Sequence, residues 1–227
     1  MKPIKPMNPL DTASGRLFQD AFDTLPLMAI LRGFDVARTV EVSRRAWDVG
    51  IRLVEVPVQN ETAVAALRAA VEAGRERGAV VGAGTVTTVE RVERAVEAGA
   101  GFTVAPGFSR EVAEASLAAG LPHLPGVATA SDIQQAEALG LTWLKAFPAA
   151  ALGPGWITAM HGPFPEARFV ATGGMNLTNT REFLAAGASA VSLGSALADP
   201  DRFAQLPELI AAIKEAIRIE DHTRTTD

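Results

Sequence analysis

The chain has 227 residues, 48% of them hydrophobic, and a formal net charge of −5. This length suits one large domain, and the absence of cysteine excludes disulfides and thiolate catalysis. The negative balance of interleaved charges argues against a nucleic-acid partner. No apolar run approaches the roughly 18 residues that span a bilayer, and the N-terminus lacks an apolar signal segment. We therefore expect no membrane partner and a cytoplasmic protein.

One phrase recurs along the sequence: a helical stretch that ends in a small residue and glycine, followed by a short apolar run. It is visible in AWDVGIRLVEV, AVEAGAGFTVAP and FLAAGASAVSLGS. The glycines predicted to end helices are Gly50, Gly99, Gly120, Gly140 and Gly187. Short apolar runs without alternation are typical of parallel strands that are buried on both faces. The phrase therefore predicts alternating helices and parallel strands.

In chain order, the predicted elements begin with an N-terminal arm and an extra helix within residues 1–24, the helix covering about 14–24. Eight strands follow, near 27–31, 52–57, 79–82, 101–105, 121–124, 142–146, 168–171 and 189–193. A polar tail is expected at 218–227. Eight such strands favour a single (β/α)8 TIM-barrel domain over residues 1–227, with the barrel body at about 25–216.

An open, doubly wound sheet is the alternative fold. Such a sheet usually carries a glycine-rich dinucleotide-binding loop after its first strand. The corresponding segment here, ILRGFD, has no such loop. We therefore favour the closed barrel, in which the active site lies at the carboxyl ends of the strands. The candidate residues at those ends are Arg32, Glu55, Thr85, Pro106, Thr129, Lys145, Thr172, Gly173, Gly174, Gly194 and Ser195.

Lys145 is the most informative of these residues. The other lysines, Lys2, Lys5 and Lys214, lie near the ends of the chain, and arginine supplies the remaining positive charge. A lysine inside the apolar run TWLKAFP is poorly explained by solvation, whereas burial favours the neutral amine that attacks a ketone. The alternative is a lysine whose stem packs on the barrel while its ammonium reaches solvent or a carboxylate.

Glu55 lies between apolar residues near the end of the second predicted strand, where an unpaired carboxylate is costly. A Schiff-base reaction needs one group to carry protons, and a glutamate at the barrel mouth suits that task. A structural ion pair with Arg32 or Lys145 is the alternative. Since Glu55 and Lys145 are predicted to face the same barrel mouth, we favour the catalytic interpretation.

Two glycine-containing turns, ATGGMN and LGSAL, follow the seventh and eighth predicted strands. Barrels of this kind commonly bind phosphate there through backbone N–H groups. Gly173, Gly174, Gly194 and Ser195 are therefore candidate phosphate ligands. Thr85 and Arg32 are candidates for binding a substrate carboxylate, although an arginine at a strand end is often structural.

The three histidines, His123, His161 and His222, form no recognisable metal-ligand spacing, so we expect neither a metal nor another cofactor. We expect His123 to line the barrel or its core and His161 to lie in a loop. Trp156 is the tryptophan expected to come nearest the substrate, because it follows the loop after Lys145.

The sequence resembles the bacterial 2-keto-3-deoxy-6-phosphogluconate and 2-keto-3-deoxy-6-phosphogalactonate aldolases over residues 25–216. The matching phrases, in order and at the family's spacing, are LPLMAILRG, RLVEVPV, VGAGTV, FTVAPGF, HLPGVAT, LKAFPA, GPGWITAM, GPFP, FVATGG and LGSAL. The resemblance implies a class I aldolase that cleaves a phosphorylated 2-keto-3-deoxy sugar acid to pyruvate and glyceraldehyde 3-phosphate. It also implies a homotrimer that needs no metal for catalysis.

By this resemblance Lys145 falls on the Schiff-base lysine and Glu55 on the glutamate that shuttles protons. Thr85 falls on a residue that contacts the pyruvate carboxylate, and Arg32 on a substrate-binding arginine. The phosphate-binding turns of the family fall on Gly173, Gly174, Gly194 and Ser195.

Gln59 departs from part of the family, because the phosphogluconate branch usually carries E-V-T-L-R, with an arginine at this position. EVPVQN is closer to the E-I-P-L-N phrase of the phosphogalactonate branch, whereas MHGPFPEARFVATGGMNL is similar to some phosphogluconate enzymes. We therefore favour the phosphogalactonate substrate and keep 2-keto-3-deoxy-6-phosphogluconate and 4-hydroxy-2-oxoglutarate as alternatives. A phosphosugar isomerase or epimerase, and a sugar-phosphate sensor without catalysis, are more distant ones.

Overall fold

The computed structural model describes residues 13–224, and the side chains as far as residue 219. Within this range the strands are β1 Leu27–Ile30, β2 Leu53–Pro57, β3 Val80–Gly84, β4 Thr103–Val104, β5 His123–Leu124, β6 Gly126–Val127, β7 Trp143–Ala146, β8 Arg168–Ala171 and β9 Ala190–Leu193. The helices are α1 Ala13–Phe22, α2 Val36–Asp48, α3 Glu61–Arg75, α4 Val89–Glu97, α5 Arg110–Ala118, α6 Ala130–Glu137, α7 Ala149–Leu152, α8 Pro154–His161, α9 Thr180–Ala185, α10 Ser195–Ala198 and α11 Pro200–Arg224.

The described strands form one parallel sheet in the order β5-β4-β3-β2-β1-β9-β8-β7-β6. The first strand, β1, pairs with β2 on one side and with the last strand, β9, on the other. At the far ends of this order, β5 and β6 are consecutive pieces of one chain segment. The sheet therefore closes on itself, which confirms the predicted TIM barrel and rejects the open sheet.

The fifth predicted strand, 121–124, contains β5, and a short strand that was not predicted, β6, follows it directly after Pro125. Proline has no N–H to donate to a sheet ladder, but its carbonyl still accepts. The Pro125 carbonyl accepts a 2.8 Å hydrogen bond from the N–H of Lys145, so the pairing with β7 continues across the break. The eight predicted strand regions thus become nine segments.

The glycine pattern that predicted the helix ends is confirmed. Gly50, Gly99, Gly120, Gly140 and Gly187 all have positive φ values, from 73° at Gly140 to 100° at Gly187. This left-handed conformation is costly for residues with a Cβ atom. At the opposite ends, five helices begin with an N-cap side chain that accepts a backbone N–H: Asp35, Asn60, Thr88, Ser109 and Thr129.

The predicted extra helix is α1, and it closes the N-terminal end of the barrel. Phe18 and Phe22 are buried and pack against Trp143, with ring centroids 6.1 and 5.2 Å away. Phe18 also meets Phe102 edge-on at 5.7 Å. Aromatic contacts of this kind stabilise beyond their buried area. The arm before α1 lies outside the described residues.

The last helix, α11, has 25 residues and continues to Arg224, well into the segment 218–227 that the sequence predicts as a polar tail. Residues 225–227 lie outside the described part of the chain. Within residues 13–224, none of the helices combines the length and the apolar character that crossing a lipid bilayer requires.

His123 is fully buried, as expected of a core residue. Its Nδ1 lies 2.8 Å from the Thr103 hydroxyl, and its backbone N–H donates to the Ser14 hydroxyl of α1 at 3.0 Å. Its Nε2 has no hydrogen-bond partner among the described residues. Because burial disfavours the charged imidazolium, the pKa of His123 falls from 6.5 to about 4.

This shift predicts acid sensitivity of the fold. The unfolded chain takes up a proton at His123 near pH 6.5, whereas the folded chain resists it until about pH 4. The free energy of unfolding should therefore fall as the pH drops through this window, by up to about 3 kcal/mol from this residue. Urea unfolding at several pH values measures this dependence. Between pH 6.5 and 4, the free energy of unfolding should change less steeply with pH for His123→Leu than for the unmodified protein. Equal slopes would contradict the assignment.

Candidate active site

A cavity of about 780 Å³ opens at the carboxyl ends of the strands, where the sequence predicts the active site. Its volume lies within the usual range for small-molecule sites. Its lining residues come from β1, β7 and β9, from the loops that follow the strands, and from α10 and α11. They are Ile30, Arg32, Phe34, Thr85, Pro106, Lys145, Phe147, Thr172, Gly173, Gly174, Met175, Asn176, Ser192, Gly194, Ser195, Ala198 and Arg202.

Lys145 lies on β7 and points into the barrel toward Glu55 of β2. Its Nζ is 3.6 Å from Glu55 Oε1, and the two side chains are 3% and 0% exposed. The distance makes an ion pair rather than a hydrogen bond. Lys145 Nζ also lies 5.5 Å from the centre of the Phe147 ring, within the range of a cation–π contact. The structure thus brings together the two residues that the sequence singled out.

Glu55 is not among the residues that line the cavity, whereas Lys145, its ion-pair partner, is. Neither carboxylate oxygen of Glu55 has a hydrogen-bond partner among the described residues. Gly84 makes the space for this carboxylate, because a Cβ at Gly84 would overlap Glu55 Oε1. A buried carboxylate with Lys145 as its described ion-pair partner carries a desolvation cost, which is typical of functional groups.

Arg32, just after β1, is held at the cavity wall by two neutral groups. It donates to Gln59 Oε1 at 2.9 Å and to the Thr85 hydroxyl at 3.3 Å. These partners position the guanidinium without neutralising it, so its charge stays available to an anion. From the sequence, Gln59 was noted only as a position where part of the family has arginine. Its hydrogen bond with Arg32 was not predicted, because the two residues are far apart in the sequence.

Thr85 follows β3 with a φ of 56°, in the left-handed region that β-branched residues rarely adopt. Its carbonyl accepts a 3.0 Å hydrogen bond from Arg91, which helps to hold this conformation. Such conformations cost about 1 to 3 kcal/mol and cluster at functional sites. The strained backbone directs the hydroxyl toward Arg32 and the cavity.

The two predicted glycine turns follow the neighbouring strands β8 and β9 and line the same cavity. Gly173 and Gly174 have φ values of 93° and 76°, and their N–H groups have no acceptor within residues 13–224. A Cβ at Gly174 would lie 2.5 Å from Ala150 of α7. Gly194 and Ser195 join β9 to α10 and line the same cavity. All four predicted residues therefore line the cavity.

The charge of the cavity is positive. Arg32, Lys145 and Arg202 line it, and the lining residues in the described chain include no aspartate or glutamate. Arg202 comes from the first turn of α11 and was missed by sequence reasoning, because a helix outside the predicted barrel mouth gives no local signal. A cavity of this charge favours an anionic occupant.

Several expected residues lie elsewhere. Thr129 caps α6 in a reciprocal arrangement with Asp132 instead of lining the cavity. Trp156 packs on Phe169 at 5.3 Å, outside the cavity, because α8 carries it to the outer face of the strands. His161 ends α8 rather than lying in a loop, and its Nε2 is 3.0 Å from the Gly187 carbonyl. No cluster of three or more metal-ligand side chains occurs within residues 13–224.

The fold and the cavity together define the chain as a TIM-barrel protein with a pocket for a small molecule at the carboxyl ends of its strands. A family model described as KDPG and KHG aldolase matches residues 19–210, which is most of the chain. The protein therefore belongs to the KDPG and KHG aldolase family, and it is a lyase.

Three similar proteins carry different names within this family. The 2-dehydro-3-deoxy-phosphogluconate aldolase of Pseudoalteromonas atlantica is 34% identical over 184 residues, 81% of this chain and 85% of its own. A structure described as native KDPGal is 30% identical with a TM-score of 0.77, covering 86% of this chain and 97% of its own. The third protein is KDPG aldolase from Legionella pneumophila, with pyruvate captured as a covalent carbinolamine. It is 27% identical with a TM-score of 0.74, and the match covers 91% of this chain and 98% of its own.

The overlap at Gly84 predicts that Gly84→Ala lowers the rate of aldol cleavage at least 100-fold, because the new methyl group displaces the Glu55 carboxylate. Overpacking should also cost about 1 to 3 kcal/mol of unfolding free energy. Gly155→Ala is the matched control, since a Cβ there meets nothing within 4 Å. Steady-state rates and thermal unfolding of both variants check this. A fully active Gly84→Ala variant would show that the Glu55 position is not required.

Proposed function

We propose that the protein is a class I aldolase that cleaves 2-keto-3-deoxy-6-phosphogalactonate to pyruvate and glyceraldehyde 3-phosphate through a Schiff base on Lys145. The observation that carries the proposal is the buried pair of Lys145 and Glu55, 3.6 Å apart at the base of a cationic cavity. Membership of the aldolase family supplies the reaction class.

Lys145 is the nucleophile in this proposal. Its Nζ attacks the C2 ketone to form a carbinolamine, and loss of water gives an iminium ion. A lysine amine in an apolar site is suited to such chemistry. The covalent carbinolamine of pyruvate in the related Legionella pneumophila enzyme supports this step.

Glu55 moves the protons. Because its carboxylate lies behind Lys145 and off the cavity wall, we propose that a water relays protons between Glu55 and the substrate. Glu55 first takes a proton from the Lys145 ammonium, which frees the amine for its attack on C2. It then donates a proton as the carbinolamine hydroxyl leaves as water. It is then a carboxylate, ready to accept the next proton.

The carbon–carbon bond breaks next. Glu55 takes the proton of the C4 hydroxyl, the C4 oxygen forms the aldehyde carbonyl, and the C3–C4 electrons pass to the iminium to give an enamine. Glyceraldehyde 3-phosphate leaves. Glu55 returns the proton to C3, and water hydrolyses the new iminium to pyruvate and free Lys145.

The two ends of the substrate bind different groups of lining residues. Arg32 and the Thr85 hydroxyl, which are already linked at 3.3 Å, hold the carboxylate beside Lys145. The turns at Gly173, Gly174, Gly194 and Ser195 hold the phosphate through backbone N–H groups, as glycine-rich turns commonly do. None of the described lining residues is acidic, which supports binding of this trianionic molecule.

By resemblance to the family we further propose a cytoplasmic homotrimer that acts without a cofactor. Sedimentation analysis distinguishes a trimer from a monomer of 23.8 kDa.

Trapping the Schiff base tests the central proposal. Incubation with pyruvate and borohydride should add a pyruvate-derived mass to the peptide that contains Lys145, and Lys145→Ala should lower turnover more than 1,000-fold because the nucleophile is lost. Lys214→Ala, an exposed lysine of α11, is the matched control and should keep both the adduct and the activity. Intact-mass analysis and peptide mapping provide the measurement.

Absence of an adduct in the unmodified protein would reject the Schiff-base mechanism. It would favour a phosphosugar isomerase or epimerase, in which Glu55 is the base and Lys145 an electrostatic group. Circular dichroism of Lys145→Ala separates loss of the nucleophile from loss of the fold.

Substrate choice is tested with the two C4 epimers. We expect a higher kcat/KM for the phosphogalactonate epimer, because Gln59 occupies the position of the arginine of the phosphogluconate branch. Pyruvate release, coupled to lactate dehydrogenase, measures both. A preference for the phosphogluconate epimer, or for 4-hydroxy-2-oxoglutarate, would instead support the alternative substrates.

A further inference from the structure

We propose that Arg202 is a further substrate-binding residue, which binds the phosphate group at the distal end of the substrate. This inference rests on the proposed function, since it deepens the account of the same cavity. The resemblance to the aldolase family does not assign Arg202 a role. The proposal comes from the position of its side chain, from its unused donors and from the charge balance of the cavity.

Arg202 lines the cavity on the wall formed by the glycine turns. The adjacent lining residues Gly194, Ser195 and Ala198 belong to the same short stretch of chain. Arg32 and Lys145, the other two cations of the cavity, come from the strand ends. Arg202 thus supplies positive charge to the wall where we propose that phosphate binds.

The terminal nitrogens of Arg202 are free for a ligand. Its Nε lies 3.6 Å from Asp199 Oδ2, a distance too long for a hydrogen bond, and its Nη atoms have no described partner within residues 13–224. The other oxygen of Asp199 accepts the backbone N–H groups of Asp201 and Arg202 at 2.9 and 3.3 Å. Asp199 therefore caps α11 and orients the arginine, while the donors that match a phosphate remain unused.

The segment that carries Arg202 is held in place by α2. Arg38 donates to the Ala198 carbonyl at 2.9 Å, just before α11 begins. The guanidinium of Arg45 lies 4.0 Å from the centre of the Phe203 ring. These contacts on either side of Arg202 limit its backbone motion, so less entropy is lost when the side chain binds an anion.

The charges of the bound substrate and of the cavity favour a contact between Arg202 and the phosphate. In the proposed mechanism Arg32 binds the carboxylate and Lys145 becomes part of the iminium, so neither compensates the phosphate. The backbone N–H groups of the glycine turns carry only partial charges. Arg202 is then the remaining cation among the described lining residues, with Asp199 as its ion-pair partner. Its side chain is 54% exposed, so solvent screening limits its effect to a modest contribution.

The test measures binding of glycerol 3-phosphate, an unreactive probe with the same phosphate end, by calorimetry. Arg202→Gln should weaken its binding about tenfold, because a guanidinium–phosphate contact is lost. Arg218→Gln is the control: it removes the same charge from α11 and breaks another ion pair with a residue three positions earlier, Arg218 with Glu215 at 2.8 Å. It should leave the affinity unchanged.

A second measurement uses the condensation of pyruvate with aldehydes. Arg202→Gln should raise the KM for glyceraldehyde 3-phosphate about tenfold, with kcat and the KM for unphosphorylated glyceraldehyde within twofold of the unmodified protein. Equal losses for both aldehydes would indicate general damage and overturn the inference. So would an unchanged affinity for glycerol 3-phosphate, or an unmodified protein that does not bind it.

Failure of the proposed function is distinguishable from failure of this inference. The borohydride adduct on Lys145 forms with pyruvate alone and does not depend on a phosphate contact. If the adduct forms and Arg202→Gln binds glycerol 3-phosphate as well as the unmodified protein, the role of Arg202 is rejected and the aldolase proposal stands. No adduct, with a tenfold loss of binding, would keep Arg202 as an anion ligand in a different reaction.

Discussion

The burial of one lysine beside one glutamate inside the barrel is the constraint on which the active site depends. Each charge alone would cost several kcal/mol to remove from water, and their mutual attraction offsets part of that cost. The pairing requires β2 and β7 to present their side chains at the same height, and it requires a residue without a side chain at Gly84. The barrel closure therefore serves the chemistry as well as the core.

The two ends of the barrel are built for different tasks. At the N-terminal end, α1 seals the interior with Phe18 and Phe22, and the polar His123 is held without charge by burial. At the other end, cations and free backbone N–H groups face an open cavity. Apolar packing at one end stabilises the strands whose opposite ends carry strained or unpaired groups, such as Thr85 and Glu55.

Much of this architecture is predictable from the sequence, because its signals are local. Helix-ending glycines and apolar runs predicted the strands, and Lys145 and Glu55 were found because they interrupt such runs. The break at Pro125 and the continuation of α11 to Arg224 were not predicted, because both depend on neighbouring strands or helices. Arg202 was missed for the same reason: its place at the cavity follows from the packing of α11 against α2.

The positive charge that the cavity offers to an anion depends on the groups that surround Arg32. A carboxylate beside it would neutralise the guanidinium, and a second cation at the position of Gln59 would compete for the same anion. The Gln59 amide instead accepts a hydrogen bond at 2.9 Å and leaves one full charge for one carboxylate. In the proposed binding mode, this contact and a phosphate contact at the glycine turns together place the reacting carbon over Lys145. In the proposed function the preference for one C4 epimer rests on Gln59, the neutral partner of Arg32 at the position where the phosphogluconate branch usually has an arginine.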